Sequence, residues 1–445
     1  MVIQFINRKI ELEEIHDTLV STKFEFLIIY GRRRIGKTEL ILHATEHKKK
    51  IYYLATGENN LGRFYNKCLT VDKNIANLKQ DWEVLFDYFK NKVDIIIIDE
   101  FQNMIHEDKN ILNLFQVIVD SIAKNSTLKI FLLGSSVSII TSKVLSYQSP
   151  LYGRRTGSFN LRAVQFKNLT EFYPKSSIEQ LVEIYGFADG IPYYLVKINI
   201  PFWHWLREEL KKERSFIRDE VDFLLRYEFE DPSTYKLIIE AIAVGKTKLD
   251  EIKNYIKVKR TDISPYLKNL IEIGLVKRIV PITENAKSRF GRYYITDNFL
   301  KFWFRYIYPN LSSIAEGIFD IEAIKSDYNN YLGNVFEEVA RQYLIDKKVF
   351  SLTKIGRWWY QDKEIDLVAL NEQTKEILFV ECKWQSNINA EKLLVELKEK
   401  TKFVQWNNEK RKESFCIIAK SFKKKLNKDD CLCFDLDDLG KVFNK

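Results

Sequence analysis

A chain of 445 residues is too long for one hydrophobic core, so two or three domains are expected. Its composition, 46% hydrophobic and 29% charged, is that of an ordinary globular protein and excludes a disordered chain. The formal charge of +9 permits a polyanionic partner, and residues 231–295 hold most of that excess, with 13 lysines and arginines against 7 acids. Five cysteines, Cys68, Cys382, Cys416, Cys431 and Cys433, include no CxxC pair and read as reduced, mostly buried thiols. The N-terminus mixes charged and apolar residues, which predicts no signal peptide. No apolar run approaches the ~18 residues of a membrane helix. The expectation is a cytoplasmic protein with no membrane partner.

In chain order, "FLIIY", "KIYYLA", "DIIIID" and "KIFLLG" predict buried strands, separated by helical patterns around 37–48, 60–90 and 110–124. That alternation predicts βαβ units and a parallel sheet covered on both faces. Residues 168–230 turn helical, ending in one long pattern, "FWHWLREELKKERSFIRDEVDFLLRYEFED", which Pro232 stops. Residues 233–280 hold three short helical patterns. "GLVKRIV" and "RYYIT" follow as strands around the polar tip "PITENAKS", a winged-helix pattern. From about 330 a helix, "YNNYLGNVFEEVARQYLID", opens a last segment of alternating strands and helices.

Between the first strand and the first helix lies "GRRRIGKT", which fits G-x-x-x-x-G-K-[ST]. Gly31 and Gly36 let the backbone of Arg32, Arg33, Arg34 and Ile35 wrap a phosphate at the positive end of the following helix. Lys37 is expected on the β- and γ-phosphates of ATP, and the Thr38 hydroxyl on Mg²⁺. "DIIIIDEFQN" places Asp99 and Glu100 at the C-terminal end of a central strand, where open α/β sheets bind ligands. Asp99 is expected to hold Mg²⁺ through water and Glu100 to orient the attacking water. Ser135, ending "KIFLLGSS", is placed to sense the γ-phosphate. At least one of the three loop arginines is expected to face solvent or a partner. Arg154 and Arg155 in "PLYGRRTGSFNL" are either surface residues or an arginine finger acting within the chain or across a homo-oligomer.

Residues 1–230 resemble the archaeal ATPases of the AAA+/STAND group, with "GRRRIGKTEL", "IIIIDEFQN", "FLLGSSVSII" and "LYGRRTG" in the family's order. "FADGIPYYL" resembles the family's Gly-x-Pro element, which implies that Gly190 and Pro192 lie near the adenine. The tail resembles the domain of unknown function that commonly ends such ATPases.

In the basic middle, Leu267, Leu270, Ile271 and Leu275 recur at helical spacing and predict a core face. Thr261, Asp262, Ser264, Tyr266 and Lys268 are then left to project outward. Basic residues at 257, 259, 260, 277 and 278 flank that face and suit phosphate contacts beside a groove-inserted helix. The alternative is a lid or protein-contact domain.

The tail holds Glu337 in "GNVFEEVA", Asp366 in "EIDLVAL" and "ECK" at 381–383. With Asp366 beginning one strand, period-two alternation puts Glu381 and Lys383 on one face of the next. Two carboxylates at paired strand ends make a hard-oxygen site for Mg²⁺, and a neighbouring lysine stabilises a phosphoryl transition state. Glu337, from the upstream helix, would complete the cluster. These residues resemble the PD-(D/E)xK nucleases, with Asp366, Glu381 and Lys383 as the motif and Ile365 replacing its proline. "GNVFEEVA" resembles the opening of the Holliday-junction-resolvase branch. Trp358, Trp359 and Tyr360 either stack on bases or fill a core.

The fold expected is α/β: a P-loop NTPase parallel sheet (1–165) with a helical lid (166–230), a winged-helix domain (231–295), and a C-terminal α/β restriction-endonuclease-like domain with a helical lead-in (296–445). The function expected is an ATP-hydrolysing switch coupled to DNA binding and metal-dependent cleavage, with Mg²⁺ or Mn²⁺ at the second site. The alternatives are a regulatory ATPase with a non-catalytic binding module, and a helicase loader or remodeller.

Overall fold

The computed structural model describes residues 5–257, 262–426 and 431–443. The chain divides into two units: Met1–Val164 with Ile191–Tyr193 and Glu272–Gly274, and Gln165–Gly190 with Tyr194–Ile271 and Leu275–Lys445.

The first unit is built on β1 (Glu25–Tyr30), β2 (Lys50–Leu54), β3 (Ile95–Asp99), β4 (Lys129–Gly134) and β5 (Gly157–Asn160). They pair in parallel in the order β2-β3-β4-β1-β5. Every residue of β3 and β4 is buried, which is why these strands read as unbroken apolar runs. The pattern over 60–90 is two helices, Asn60–Val71 and Trp82–Phe89, and not one. Asp81 restarts the second by accepting from Glu83 N and Val84 N, a capping preference that outweighs the continuing periodicity. Strand β5 has no signal in the sequence, because "GSFN" holds no apolar run; it pairs along the side of β1.

The second unit opens with the short helical turns Phe166–Asn168 and Leu169–Phe172, followed by the helix Ile178–Ala188. The long helix expected before Pro232 is two, Phe202–Lys211 and Phe216–Glu228, because Ser215 caps a new start. Helices Ser233–Ala243, Leu249–Ile256 and Ser264–Glu272 precede the antiparallel pair β6 (Val276–Ile279) and β7 (Arg292–Ile295). Leu267, Leu270 and Leu275 are buried, but Ile271 is 37% exposed and leaves the predicted core face. Tyr266 does not project freely; it is half-buried, edge-on to Tyr235 at 5.1 Å. Asp262, Ser264 and Lys268 are exposed, whereas Lys259, Arg260 and Thr261 lie outside the described residues. Arg278 donates to the carbonyls of Ala286 and Ser288 and closes the loop between the two strands.

After the helix Glu322–Lys347 come β8 (Lys354–Tyr360), β9 (Lys363–Asn371) and β10 (Glu376–Lys383), an antiparallel meander. Asn371 makes the β9–β10 turn by accepting from Gln373 N and Thr374 N at 3.0 and 3.1 Å. Beyond the two-residue β11 (Ile388–Asn389), the helix Ala390–Thr401 crosses to β12 (Lys412–Ala419), which runs parallel to β10. β13 (Phe422–Lys424) pairs with β11, and β14 (Cys431–Phe434) completes the sheet order β14-β12-β10-β9-β8. Trp358 and Trp359 are buried, so neither is free to stack on a base; Tyr360 alone of the three is exposed. Among the described residues no helix is long and apolar enough to cross a membrane.

Candidate functional site

β1 hands the chain to Gly31, whose N–H donates to Gly134 O at 3.2 Å. A Cβ on Gly31 would run into the Leu161 carbonyl, so only glycine fits here. Gly36, at φ 92°, caps the helix Lys37–Ala44 and aims its positive end at the loop. Lys37 is buried, and its ammonium spans the loop by donating to Gly31 O (2.8 Å) and Arg32 O (3.0 Å). Behind the loop, buried Arg8 donates to Ile35 O at 2.9 Å and Arg162 O at 2.6 Å, tying it to the segment after β5. Arg32, Arg33 and Arg34 are each half-buried. The Arg34 guanidinium lies over the Tyr193 ring, 4.1 Å from its centre.

The acidic pair at the end of β3 meets this loop. Thr38 Oγ1 donates to Asp99 Oδ2 at 2.5 Å, and Tyr52 OH donates to the same oxygen at 3.0 Å. Burial, then the Asp99 charge, pushes the Tyr52 phenol well above its ordinary value. Glu100 turns out of the strand with φ 54°, an uncommon conformation for a side-chain-bearing residue. Its carboxylate accepts from the Ser135 hydroxyl and the Gln102 amide, and that amide also donates to Ser135 Oγ at 3.0 Å. Hydroxyl and carboxylate oxygens side by side at Thr38 and Asp99 fit Mg²⁺.

Pro192 lies 4.0 Å from where a Cβ on Gly36 would stand, while Gly190 belongs to the second unit. Arg154 is engaged elsewhere: Nε and Nη2 each donate to the Asp120 carboxylate at 2.8 Å. Arg155 donates to Leu145 O at 3.3 Å. In this arrangement the Arg154 fork is taken up by Asp120.

In the second unit, Asp366 is the fourth residue of β9 and not its first. The β9–β10 register runs to Leu367 opposite Val380; beyond it, Asp366 Oδ2 accepts from Cys382 N at 2.8 Å. Glu381 is buried and accepts from Lys383 Nζ at 2.7 Å. Lys400, from the crossing helix, donates to both Glu381 oxygens at 3.0 and 2.9 Å. Burial, then the charge of Glu381, pushes the Asp366 carboxyl up to about 6, against the opposing pull of Lys383 and Lys400. Burial lowers Lys383, but the charge and hydrogen bond of Glu381 outweigh it and raise the ammonium. Asp366 and Glu381 are hard donors suited to Mg²⁺ or Mn²⁺, with water completing the shell. Glu337 does not complete this cluster: it accepts from Arg357 of β8, and among the described residues no three Asp, Glu, His or Cys side chains could hold a metal together.

Residues 5–198 match a family described as "ATPase domain predominantly from Archaea", and residues 303–400 match one described as "Archaea bacterial proteins of unknown function". An uncharacterized protein of Methanocaldococcus jannaschii is 52% identical over 443 residues, covering 98% of this chain and 100% of that protein. The chain belongs to this family of ATPases. An uncharacterized ATP-binding protein of the same organism is 46% identical over 48 residues, 11% of this chain and 81% of its own length. A Walker-type ATPase of Pyrococcus abyssi shares the fold with a TM-score of 0.51 at 22% identity, over 68% of this chain and 96% of that one.

Within this ATPase, Tyr52, Gln102, Arg8 and Lys400 went unmarked in the sequence. Gln102 is three residues past Asp99 in the quoted "DEFQN", so its position carried a signal. Lys400 carried none, being one of three lysines in its helix, with Lys392 and Lys398.

Proposed function

We propose that this ATPase is a nucleotide-driven switch whose second unit binds DNA and cleaves it with a divalent cation. In the first unit the backbone of Gly31 to Gly36 wraps the phosphates and Lys37 reaches the β- and γ-phosphates. Thr38 and Asp99 hold Mg²⁺, which, when bound, neutralises charge on the phosphate oxygens. Glu100 polarises the water that attacks the γ-phosphorus. Ser135, hydrogen-bonded to Glu100, couples that carboxylate to the γ-phosphate. Pro192 borders the adenine.

The observation that carries the second half is the buried Glu381 beside an Asp366 whose proton is held to about 6, with Lys383 on the same strand face. A buried carboxylate whose proton affinity is raised by burial and by a second carboxylate beside it favours a cation at that place. The order helix, three antiparallel strands, helix, parallel strand supports the PD-(D/E)xK reading of residues 296–445, and the basic surface of 231–295 supports DNA contact through the winged helix. Asp366 and Glu381 hold the cation, and Lys383 faces the scissile phosphate.

A second reading has one observation in its favour. Lys400 already occupies both oxygens of Glu381, which suits a regulatory ATPase with a non-catalytic binding module. Incubation with linear, branched and single-stranded DNA in Mg²⁺ or Mn²⁺, with and without ATP, separates the two. Cleavage that Asp366→Ala abolishes supports the nuclease; every substrate left intact by the wild type leaves the binding module.

A further inference from the structure

Tyr52 lies outside the motifs that mark the nucleotide site, and the sheet fixes its place. β2 stands at the edge of the first unit's sheet and pairs in parallel with β3, Tyr52 opposite Ile97 and Leu54 opposite Asp99. Opposite residues of a parallel ladder face the same side, and alternate residues of one strand share a face. Tyr52, Leu54, Ile97 and Asp99 therefore share one face, while Ile51 and Tyr53 turn into the core on the other. Tyr52 stands two residues short of the strand end, and its phenol reaches forward to the Asp99 carboxylate. The end of β2 is tied down at the same point. Ala55 N donates to Asp99 O at 2.9 Å, and Asn103 Nδ2 donates to Ala55 O at 3.0 Å.

The Asp99 carboxylate is buried and accepts from neutral donors. Its Oδ1 takes the Glu100 N–H at 2.8 Å, and its Oδ2 takes the hydroxyls of Thr38 at 2.5 Å and Tyr52 at 3.0 Å. A tyrosine hydroxyl keeps its proton at neutral pH and can donate it. An ionised carboxylate offers about four acceptor positions, so these donors leave about one for a hydrated cation. Neutral donors spread the negative charge without cancelling it, and a buried carboxylate held this way still favours a cation. The donors also decide which way the carboxylate faces. Thr38 is itself a candidate ligand of the cation, whereas Tyr52 is anchored in the sheet and supplies a fixed reference.

We infer that Tyr52 is a positioning residue for the ATPase reaction: its hydroxyl holds the Asp99 carboxylate in the orientation that receives the Mg²⁺ of the nucleotide. The inference rests on the assignment of Mg²⁺ to Thr38 and Asp99 in the function proposed above, and not on DNA binding or cleavage. A hydrogen-bond partner of a metal-binding carboxylate typically contributes roughly 10–100-fold to metal affinity. The phosphates are held by other groups, the backbone of Gly31 to Gly36 and the Lys37 ammonium. Tyr52 therefore acts on the cation and leaves metal-free nucleotide binding alone.

The test uses the full-length protein and Tyr52→Phe, which keeps the ring and removes the hydroxyl. Binding of a fluorescent ADP is measured in EDTA and over a range of free Mg²⁺, and ATP hydrolysis is followed over the same range. Wild type and variant should bind ADP alike in EDTA. The free Mg²⁺ that half-saturates binding and hydrolysis should rise roughly 10–100-fold in the variant. At saturating Mg²⁺ hydrolysis should return to the wild-type plateau, because the loss lies in metal affinity and not in the chemical step. In an Asp99→Asn background, Tyr52→Phe should change the Mg²⁺ dependence of ADP binding no further, since the two residues act through one contact. An unchanged Mg²⁺ midpoint in Tyr52→Phe would overturn the inference. A lower midpoint would overturn it by making the hydroxyl a competitor of the cation. A depressed plateau and melting temperature at a fixed midpoint would overturn it by reducing Tyr52 to a structural prop. A wild type whose ADP binding and hydrolysis ignore Mg²⁺ would overturn it together with the assignment of Mg²⁺ to Thr38 and Asp99.

Discussion

The two candidate sites are built in opposite ways. At the phosphate loop the functional groups sit beyond strand ends, on backbone that regular structure does not use: Arg34 at φ 69°, Gly36 at 92° and Glu100 at 54°. At the carboxylate pair the groups lie inside regular strands, with Asp366 mid-strand in β9 and Glu381 and Lys383 alternating along β10. The first site is made of backbone and held by strain; the second is made of side chains and held by charge. Backbone sites tolerate few substitutions at their glycines, whereas side-chain sites can lose one group and keep their shape. Variants should therefore fail differently at the two places.

The largest effects are expected at the phosphate loop. Lys37→Ala should lower ATP affinity roughly 100-fold or more, since it removes both the charge that meets the phosphates and the bonds to Gly31 O and Arg32 O. Glu100→Gln should bind ATP normally but turn it over about 10²–10⁴-fold more slowly, the range for loss of a general base. Equilibrium binding of a fluorescent ATP analogue beside phosphate release distinguishes the two variants. Wild-type turnover in Glu100→Gln would remove Glu100 from that role.

The carboxylate pair should respond with stability as well as activity. The folded Asp366 carboxyl, at about 6, lies above the ordinary value near 4. Between these values the folded state binds the extra proton, so wild-type stability declines as pH rises from about 4 to 6. Asp366→Asn should accordingly be more stable than wild type at pH 7–8, on the order of 1–2 kcal/mol after screening by the two lysines. The gap should close as pH falls towards 4. Urea melts at pH 4.5 and 7.5 measure it, and an Asp366→Asn protein less stable at both would contradict the electrostatic account.

Next in size is Lys400→Met. If Lys400 stands where a cation would otherwise be drawn to Glu381, removing it should raise Mn²⁺ affinity roughly tenfold, a change of about 1.4 kcal/mol. Calorimetric titration reads this without any DNA. A lower affinity would mean that Lys400 helps shape the site and does not compete at it. The smallest effect belongs to Tyr193→Leu, which deletes the ring beneath Arg34 and should cost about 0.5–1 kcal/mol in thermal stability.

The same contrast explains what could be read from the residues alone. The phosphate loop is contiguous, and β-branched runs on both sides fix its setting, so Gly31, Gly36, Lys37, Thr38, Asp99 and Glu100 were all visible. Asp366, Glu381 and Lys383 were visible because strand alternation puts Glu381 and Lys383 on one face. Contacts that depend on tertiary packing were not. Arg357 reaches Glu337 from a strand 20 residues on, and nothing in "GNVFEEVA" announces that partner. Arg154 in "LYGRRTG" read equally as a surface residue or a finger, because its partner Asp120 is 34 residues away. Trp358 and Trp359 read equally as stacking or core residues, since aromatic identity does not reveal the covered face of an outer strand.

The most direct test of two separate chemistries in one chain uses three full-length proteins, wild type, Lys37→Ala and Asp366→Ala, in Mn²⁺. DNA cleavage and ATP hydrolysis are measured on the same preparations. The account predicts that Asp366→Ala hydrolyses ATP at the wild-type rate and leaves DNA uncut. It predicts that Lys37→Ala fails to hydrolyse ATP and retains a cleavage site able to cut. Cleavage surviving Asp366→Ala, or ATP hydrolysis abolished with it, would contradict the assignment of the two activities to two sites.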